Sequence, residues 1–239
     1  MADIYLERHL ISKTPLSELP ENWHGKPFVE IIFNLCQEVL KSNPDQEWLR
    51  NGQTGQYLLF KDIEAKCIKA AKILSSNGLK KGDTVHIVLP NCVEFHVTVF
   101  AVWLLGGITS LADPSLRQNV LLEQIKDVNA AFAICHSNHL LNTSSSMIQI
   151  ITLEDVFESR LVMTNDVRLD FSTAKSVMHE TLVIFWSSGT TGRPKGIAHG
   201  INFFLRCLVK SDFPPATLLQ TVQDFKNLLS MAHLSSSYT

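Results

Sequence analysis

The chain has 239 residues, 45% of them apolar, which is enough for one large α/β domain or two small ones. A net charge of -2 and a charged fraction of 18% provide no basic stripe for nucleic acid and no lysine/arginine cluster for an anionic membrane surface. The cysteines Cys36, Cys67, Cys92, Cys135 and Cys207 form no C-x-x-C pair, and Met1-Ala2-Asp3-Ile4 lacks a basic stretch leading into an apolar one, so reduced thiols in a cellular interior are expected.

From the amino terminus, Phe28, Ile31, Ile32, Leu35 and Val39 recur at helical spacing, and Asn43-Pro44 stops the helix. The segments Glu47 to Arg50 and Gln56 to Phe60, with the turn signal Asn51-Gly52 and Gly55 between them, predict a β-hairpin. A second helix places Ile63, Cys67, Ala70, Ala71 and Leu74 on one face and ends at Asn77-Gly78.

Beyond Lys81 strands and helices alternate. The pattern predicts strand Thr84 to Leu89, a helix from about Cys92 to Leu105, strand Ile108 to Leu111, a helix from about Leu116 to Val128, and strand Ala131 to Cys135. Asn91 with Glu94 has the spacing of a capping box. A further strand is expected around Met147 to Ile151, a connecting loop over Arg160 to Glu180, a strand over Leu182 to Trp186, and helices over Ile201 to Val209 and Ala216 to Leu229. This order predicts an α/β fold, a mostly parallel βαβ sheet with flanking helices and right-handed crossovers. The uncharged run Phe95 to Ala112 reaches the minimum length of a membrane span, but Gly106-Gly107 interrupts it and Asp113-Pro114 follows, so it reads as a buried helix, a break and a core strand.

The segment Ser187-Ser188-Gly189-Thr190-Thr191-Gly192-Arg193-Pro194-Lys195-Gly196 follows the apolar strand Leu182-Val183-Ile184-Phe185-Trp186. It combines hydroxyls, glycines and a lysine, which is the chemistry of a loop that holds an anionic oxygen cluster. Walker A spacing is not met, because Lys195 lies between Pro194 and Gly196 with no hydroxyl beside it. A flexible Ser/Gly linker is the plain alternative. The strand before it favours a ligand loop, since ligands in parallel sheets bind beyond the carboxyl ends of strands. Cys135-His136 with His139 has no second cluster near it in sequence and reads as a strand end rather than a metal site; Trp186 reads as core.

The ten-residue string resembles the signature of the adenylate-forming superfamily, which includes acyl- and aryl-CoA synthetases, 4-coumarate-CoA ligases and luciferases. Three upstream stretches follow in the family's order: Gly78-Leu79-Lys80-Lys81-Gly82-Asp83-Thr84-Val85, Leu89-Pro90-Asn91-Cys92-Val93-Glu94-Phe95, and Gly106-Gly107. The resemblance covers roughly Phe28 to His199. It implies a two-step, AMP-forming activation of a carboxylic acid: the acid attacks the α-phosphate of ATP, carried with Mg2+, and the acyl group then passes to a thiol, coenzyme A. By position, Ser187, Ser188, Gly189, Thr190, Thr191, Gly192 and Lys195 would wrap the β- and γ-phosphates; no catalytic residue and no protein metal ligand is assigned.

Motifs that family members carry further on, at the adenine, the ribose and the hinge, do not follow Gly196. The resulting expectation is a partial amino-terminal AMP-binding domain over residues 1–199, a divergent helical tail over 200–239, and no carboxyl-terminal domain. On that expectation the chain alone is catalytically incomplete. The alternative is a truncated, non-catalytic isoform or pseudoenzyme that acts through protein contacts, including self-association at an uncovered sheet edge. A cytoplasmic or peroxisomal setting is expected, although Ser237-Tyr238-Thr239 does not match the peroxisomal Ser-Lys-Leu ending.

Overall fold

A computed structural model describes residues 20–139, 148–158, 180–187 and 194–210. After a short 3-10 turn at Glu21–Trp23, helix α1 (Phe28–Ser42) forms as its apolar spacing requires, burying Phe28, Ile31, Ile32, Leu35 and Val39. Strands β1 (Glu47–Arg50) and β2 (Tyr57–Leu59) pair antiparallel. The turn between them differs from the expected tight Asn-Gly turn. The Asn51 side chain accepts hydrogen bonds from the Gln53 and Thr54 amides, and the left-handed residue is Gly55 at φ +74, not Gly52.

Helix α2 (Phe60–Ser76) ends where Gly78 takes φ +96, and the Leu79 amide reaches back to the Leu74 carbonyl. Then come β3 (Thr84–Val88), α3 (Val93–Leu104), β4 (Ile108–Ala112), α4 (Gln118–Asp127) and β5 (Phe132–Cys135). The pattern continues with β6 (Gln149–Thr152), α5 (Leu153–Phe157), β7 (Thr181–Ser187), β8 (Lys195–Gly200) and α6 (Ile201–Lys210). The expected capping box at Asn91 is not formed: Cys92 is the N-cap of α3 with no side-chain bond, and the Glu94 carboxylate instead accepts from Gln56 Nε2 at 2.6 Å. A capping box does form at α5, between Thr152 and Asp155. The expected loop over Arg160 to Glu180 lies, apart from Glu180, outside the described residues, as does the expected helix over Ala216 to Leu229.

Six strands make one sheet in the order β6-β5-β3-β4-β7-β8. All neighbours are parallel except β7 and β8, which pair antiparallel. Alternation along each strand sends Val85, Ile87, Leu111, Phe132, Ile134, Val183 and Phe185 to a core shared with α1, α2, α3 and α6. Val88, Ala112, Ala133, Cys135, Ile184 and Trp186 face the other way, against Leu121, Ile125 and Val128 around α4. Helix α3 buries nearly every residue because it is covered on several sides, with the sheet beneath it, α1 and α2 beside it, and Trp48 of the hairpin stacked on Phe100 at 5.8 Å. The uncharged run is therefore a buried helix, the Gly106-Gly107 break and strand β4, and among the described residues no helix is long and apolar enough to cross a membrane.

Candidate active site

The parallel strands end together at Val88, Ala112, Cys135, Thr152 and Ser187, forming the carboxyl edge where ligands of such sheets bind. Buried Asp113, directly after β4, turns the chain there by accepting from the Ser115 amide at 2.7 Å. After β5, the Glu154 carboxylate accepts from the Ser137 amide at 3.0 Å and lies 3.2 Å from His136 Nδ1. Its own backbone N–H, with His136 and Ser137, holds the Glu154 carboxyl down at about 2. His136 is thus the partner of a carboxylate, and among the described residues no group of three potential metal ligands gathers.

Strand β8 was not anticipated from the sequence, yet it does most to arrange the edge. It runs back along β7, pairing Ser187 with Lys195, Trp186 with Gly196 and Phe185 with Ile197. Two of the expected phosphate-binding residues, Ser187 and Lys195, therefore face each other across a ladder, and Ser187 Oγ donates to the Lys195 carbonyl at 3.5 Å. The Lys195 residue is exposed and Ser187 half-buried. Ser188, Gly189, Thr190, Thr191 and Gly192 lie outside the described residues.

Two tryptophans fix β7 from opposite faces. The β7–β8 register slips between Thr181 and Val183, a bulge that takes Leu182 out of the ladder. Trp103 Nε1–H donates to the Leu182 carbonyl at 2.9 Å and Thr109 Oγ1 stands 3.4 Å from it, so the displaced backbone acceptor is satisfied from α3 and β4. On the other face Trp186 Nε1–H donates to Ser110 Oγ at 3.0 Å, and Ser110 Oγ is 3.0 Å from His86 Nδ1. The core assignment of Trp186 holds, since it is 2% exposed. His199 sits on β8 with its ring 4.4 Å from Phe203 and 5.3 Å from Phe185, and burial pulls its pKa below the ordinary histidine value.

A family model described as AMP-binding enzyme matches residues 36–238. The chain belongs to the AMP-binding enzyme family. A 4-coumarate–CoA ligase of Petroselinum crispum is 28% identical over 188 residues, 76% of this chain and 34% of the relative. The o-succinylbenzoate coenzyme A synthetase of Bacillus subtilis, in complex with ATP and a magnesium ion, superposes at a TM-score of 0.58 and 20% identity, covering 80% of this chain and 54% of that one. The N-terminal subdomain of Klebsiella oxytoca NpsA, in complex with 3-hydroxybenzoyl-AMSN, gives 0.60 at 16% identity over 74% of this chain and 42% of its own. The fold is that of the amino-terminal part of adenylate-forming enzymes, as the sequence resemblance implied. The chain spans about a third of the length of the curated relatives it matches.

Proposed function

We propose that Ser187, Ser188, Gly189, Thr190, Thr191, Gly192 and Lys195 grip the β- and γ-phosphates of ATP in an AMP-forming acid–thiol ligase reaction. The observation that carries this reading is the pairing of Ser187 with Lys195 at the carboxyl edge, beyond a buried parallel strand. A hydroxyl and a lysine presented from two hydrogen-bonded strands suit a polyanion, and charge-assisted bonds of this type contribute about 1.5–3 kcal/mol each. Magnesium accompanies the triphosphate, which supplies the hard oxygen ligands it prefers. The acid oxygen attacks the α-phosphorus as the bond to pyrophosphate breaks. A thiol, coenzyme A, then takes the acyl group and AMP leaves.

The protein's part in this is positioning and neutralising charge as pyrophosphate departs, not proton transfer by these side chains. A cytoplasmic or peroxisomal setting accompanies the reading and suits Cys36, Cys67, Cys92 and Cys135, which are outside any disulfide. The test is carboxylate-dependent exchange of labelled pyrophosphate into ATP, with 4-coumarate and o-succinylbenzoate as first acids. Lys195→Ala is expected to lower exchange on the order of 100-fold, the scale seen when one charge-stabilising donor is removed. Equal exchange by the variant overturns the assignment. ATP binding that depends on Lys195 without any exchange would make this chain a non-catalytic nucleotide-binding protein.

A further inference from the structure

Three polar side chains from three adjacent strands form a chain of hydrogen bonds inside an apolar layer. His86 on β3 and Ser110 on β4 are register partners, and Trp186 on β7 lies two residues beyond Ile184, the partner of Ser110. They are 0%, 0% and 2% exposed. Polar groups at such depth cost free energy unless paired, so apolar residues would serve a purely structural sheet as well. Trp186 can only donate, and its N–H goes to Ser110 Oγ. Ser110 Oγ, which can both accept and donate, also lies 3.0 Å from His86 Nδ1, within hydrogen-bonding distance. Burial lowers the His86 pKa to about 3 and so keeps it neutral.

The far end of this chain is the base of the phosphate-binding segment. The indole lies against Gly196, where an added Cβ would be 3.5 Å from Trp186 Cη2 and Cζ3 and 3.0 Å from Ile184 Cγ2. Trp186 and Gly196 form the pair directly inside Ser187 and Lys195. One ring therefore spans both strands beneath the two phosphate-facing residues, and its rotation is fixed by Ser110.

We propose that His86, Ser110 and Trp186 are positioning residues for the phosphate grip: the relay holds the indole against Gly196 and so sets the relation of Ser187 to Lys195. The inference rests on the reading that this segment binds ATP phosphates. None of the three is among the residues proposed to grip the phosphates, and all three are buried.

The test is titration of ATP with Mg2+ into the full chain while the indole N–H signals are followed by NMR. Trp186 is assigned by its loss in Trp186→Phe, which keeps an aromatic ring against Gly196 and removes only the donor. Ser110→Ala and Trp186→Phe are each expected to weaken ATP about three- to tenfold, the range of one hydrogen bond. The double variant should bind no more weakly than the worse single one, because both remove the same interaction. In Ser110→Ala the Trp186 indole proton should move upfield while that of Trp103, held on Leu182, stays in place. Wild-type affinity in Trp186→Phe, or additive losses in the double variant, overturns the relay; the former decides even if Ser110→Ala does not fold. Equal ATP binding by wild type and Lys195→Ala overturns the phosphate reading instead.

Discussion

Gly107 sits between the end of α3 and the start of β4, where an added Cβ would lie 2.8 Å from Val102 Cγ1, 3.2 Å from the Val102 carbonyl and 3.3 Å from that of Asp83. Val102 is a stiff, buried side chain and the other two neighbours are backbone, so nothing can give cheaply. Gly107→Ala is expected to cost about 1–3 kcal/mol, typical of overpacking. In a thermal melt this lowers Tm by roughly 2–4 °C per kcal/mol for a domain of this size. His86 sets a pH dependence. Its pKa is about 3 in the folded chain against 6.5 for the ordinary group, so the unfolded state binds the extra proton first. Its contribution is fully present above pH 6.5 and is lost as pH falls from there towards 3, with a slope approaching about 1.4 kcal/mol per pH unit. Urea titrations at pH 7.5, 6 and 5 should show that slope in wild type, and His86→Leu should flatten it by about one proton. From sequence alone Trp186 reads as core and His86 is simply one residue of the expected strand Thr84 to Leu89. What the linear pattern hides is register: only pairing β3 with β4 and β4 with β7 shows that His86, Ser110 and Trp186 meet.

At the scale of elements, the bulge in β7 depends on a helix across the core. Trp103→Phe removes the N–H that satisfies the Leu182 carbonyl and should destabilise the chain by about 1–3 kcal/mol in chemical denaturation. Thr109→Val should cost more than its single-variant value when made on top of Trp103→Phe, because the two donors share one acceptor and the second loss leaves the Leu182 carbonyl with neither. Helix α5 depends on its cap in the same way, and Thr152→Ala should cost about 1 kcal/mol, seen as faster amide exchange over Leu153–Phe157. The βαβ succession from Thr84 to Cys135 was legible in the sequence because continuous apolar strands alternate with helices closed by Gly106 and Asn129. Strand β8 was not, since Lys195-Gly-Ile-Ala-His-Gly200 has two glycines and little apolar alternation. Its pairing comes from β7, whose open edge it covers. The capping box at Asn91 failed because Glu94 has a better acceptor role toward Gln56 in the hairpin, a contact that no local spacing reveals.

At the scale of the whole molecule, α1, α2 and α3 and the sheet enclose one core, and its thiols are sealed with it. Cys36 and Cys67 are buried, and burial pushes the Cys36 thiol up to about 12 and the Cys67 thiol well above its ordinary value. Cys92 is half-buried and raised to about 11, again chiefly by burial. A thiol reagent at neutral pH should therefore label these three only slowly, with rates for Cys36 and Cys67 that track denaturant-induced opening in site-resolved mass spectrometry. The family assignment agrees with what Ser187 to Gly196 suggested, while the arrangement that brings Ser187 to Lys195 came only with the hairpin. That hairpin has a thermodynamic consequence. Residues 188–194 join two ends already hydrogen-bonded to each other, so the entropy of closing this loop is lost during folding, not on encounter with a ligand. On the proposed reading of this segment, a nucleotide at the carboxyl edge meets Ser187 and Lys195 already brought together by the β7–β8 pairing. The cost of bringing those two residues together is then absent from the free energy of binding.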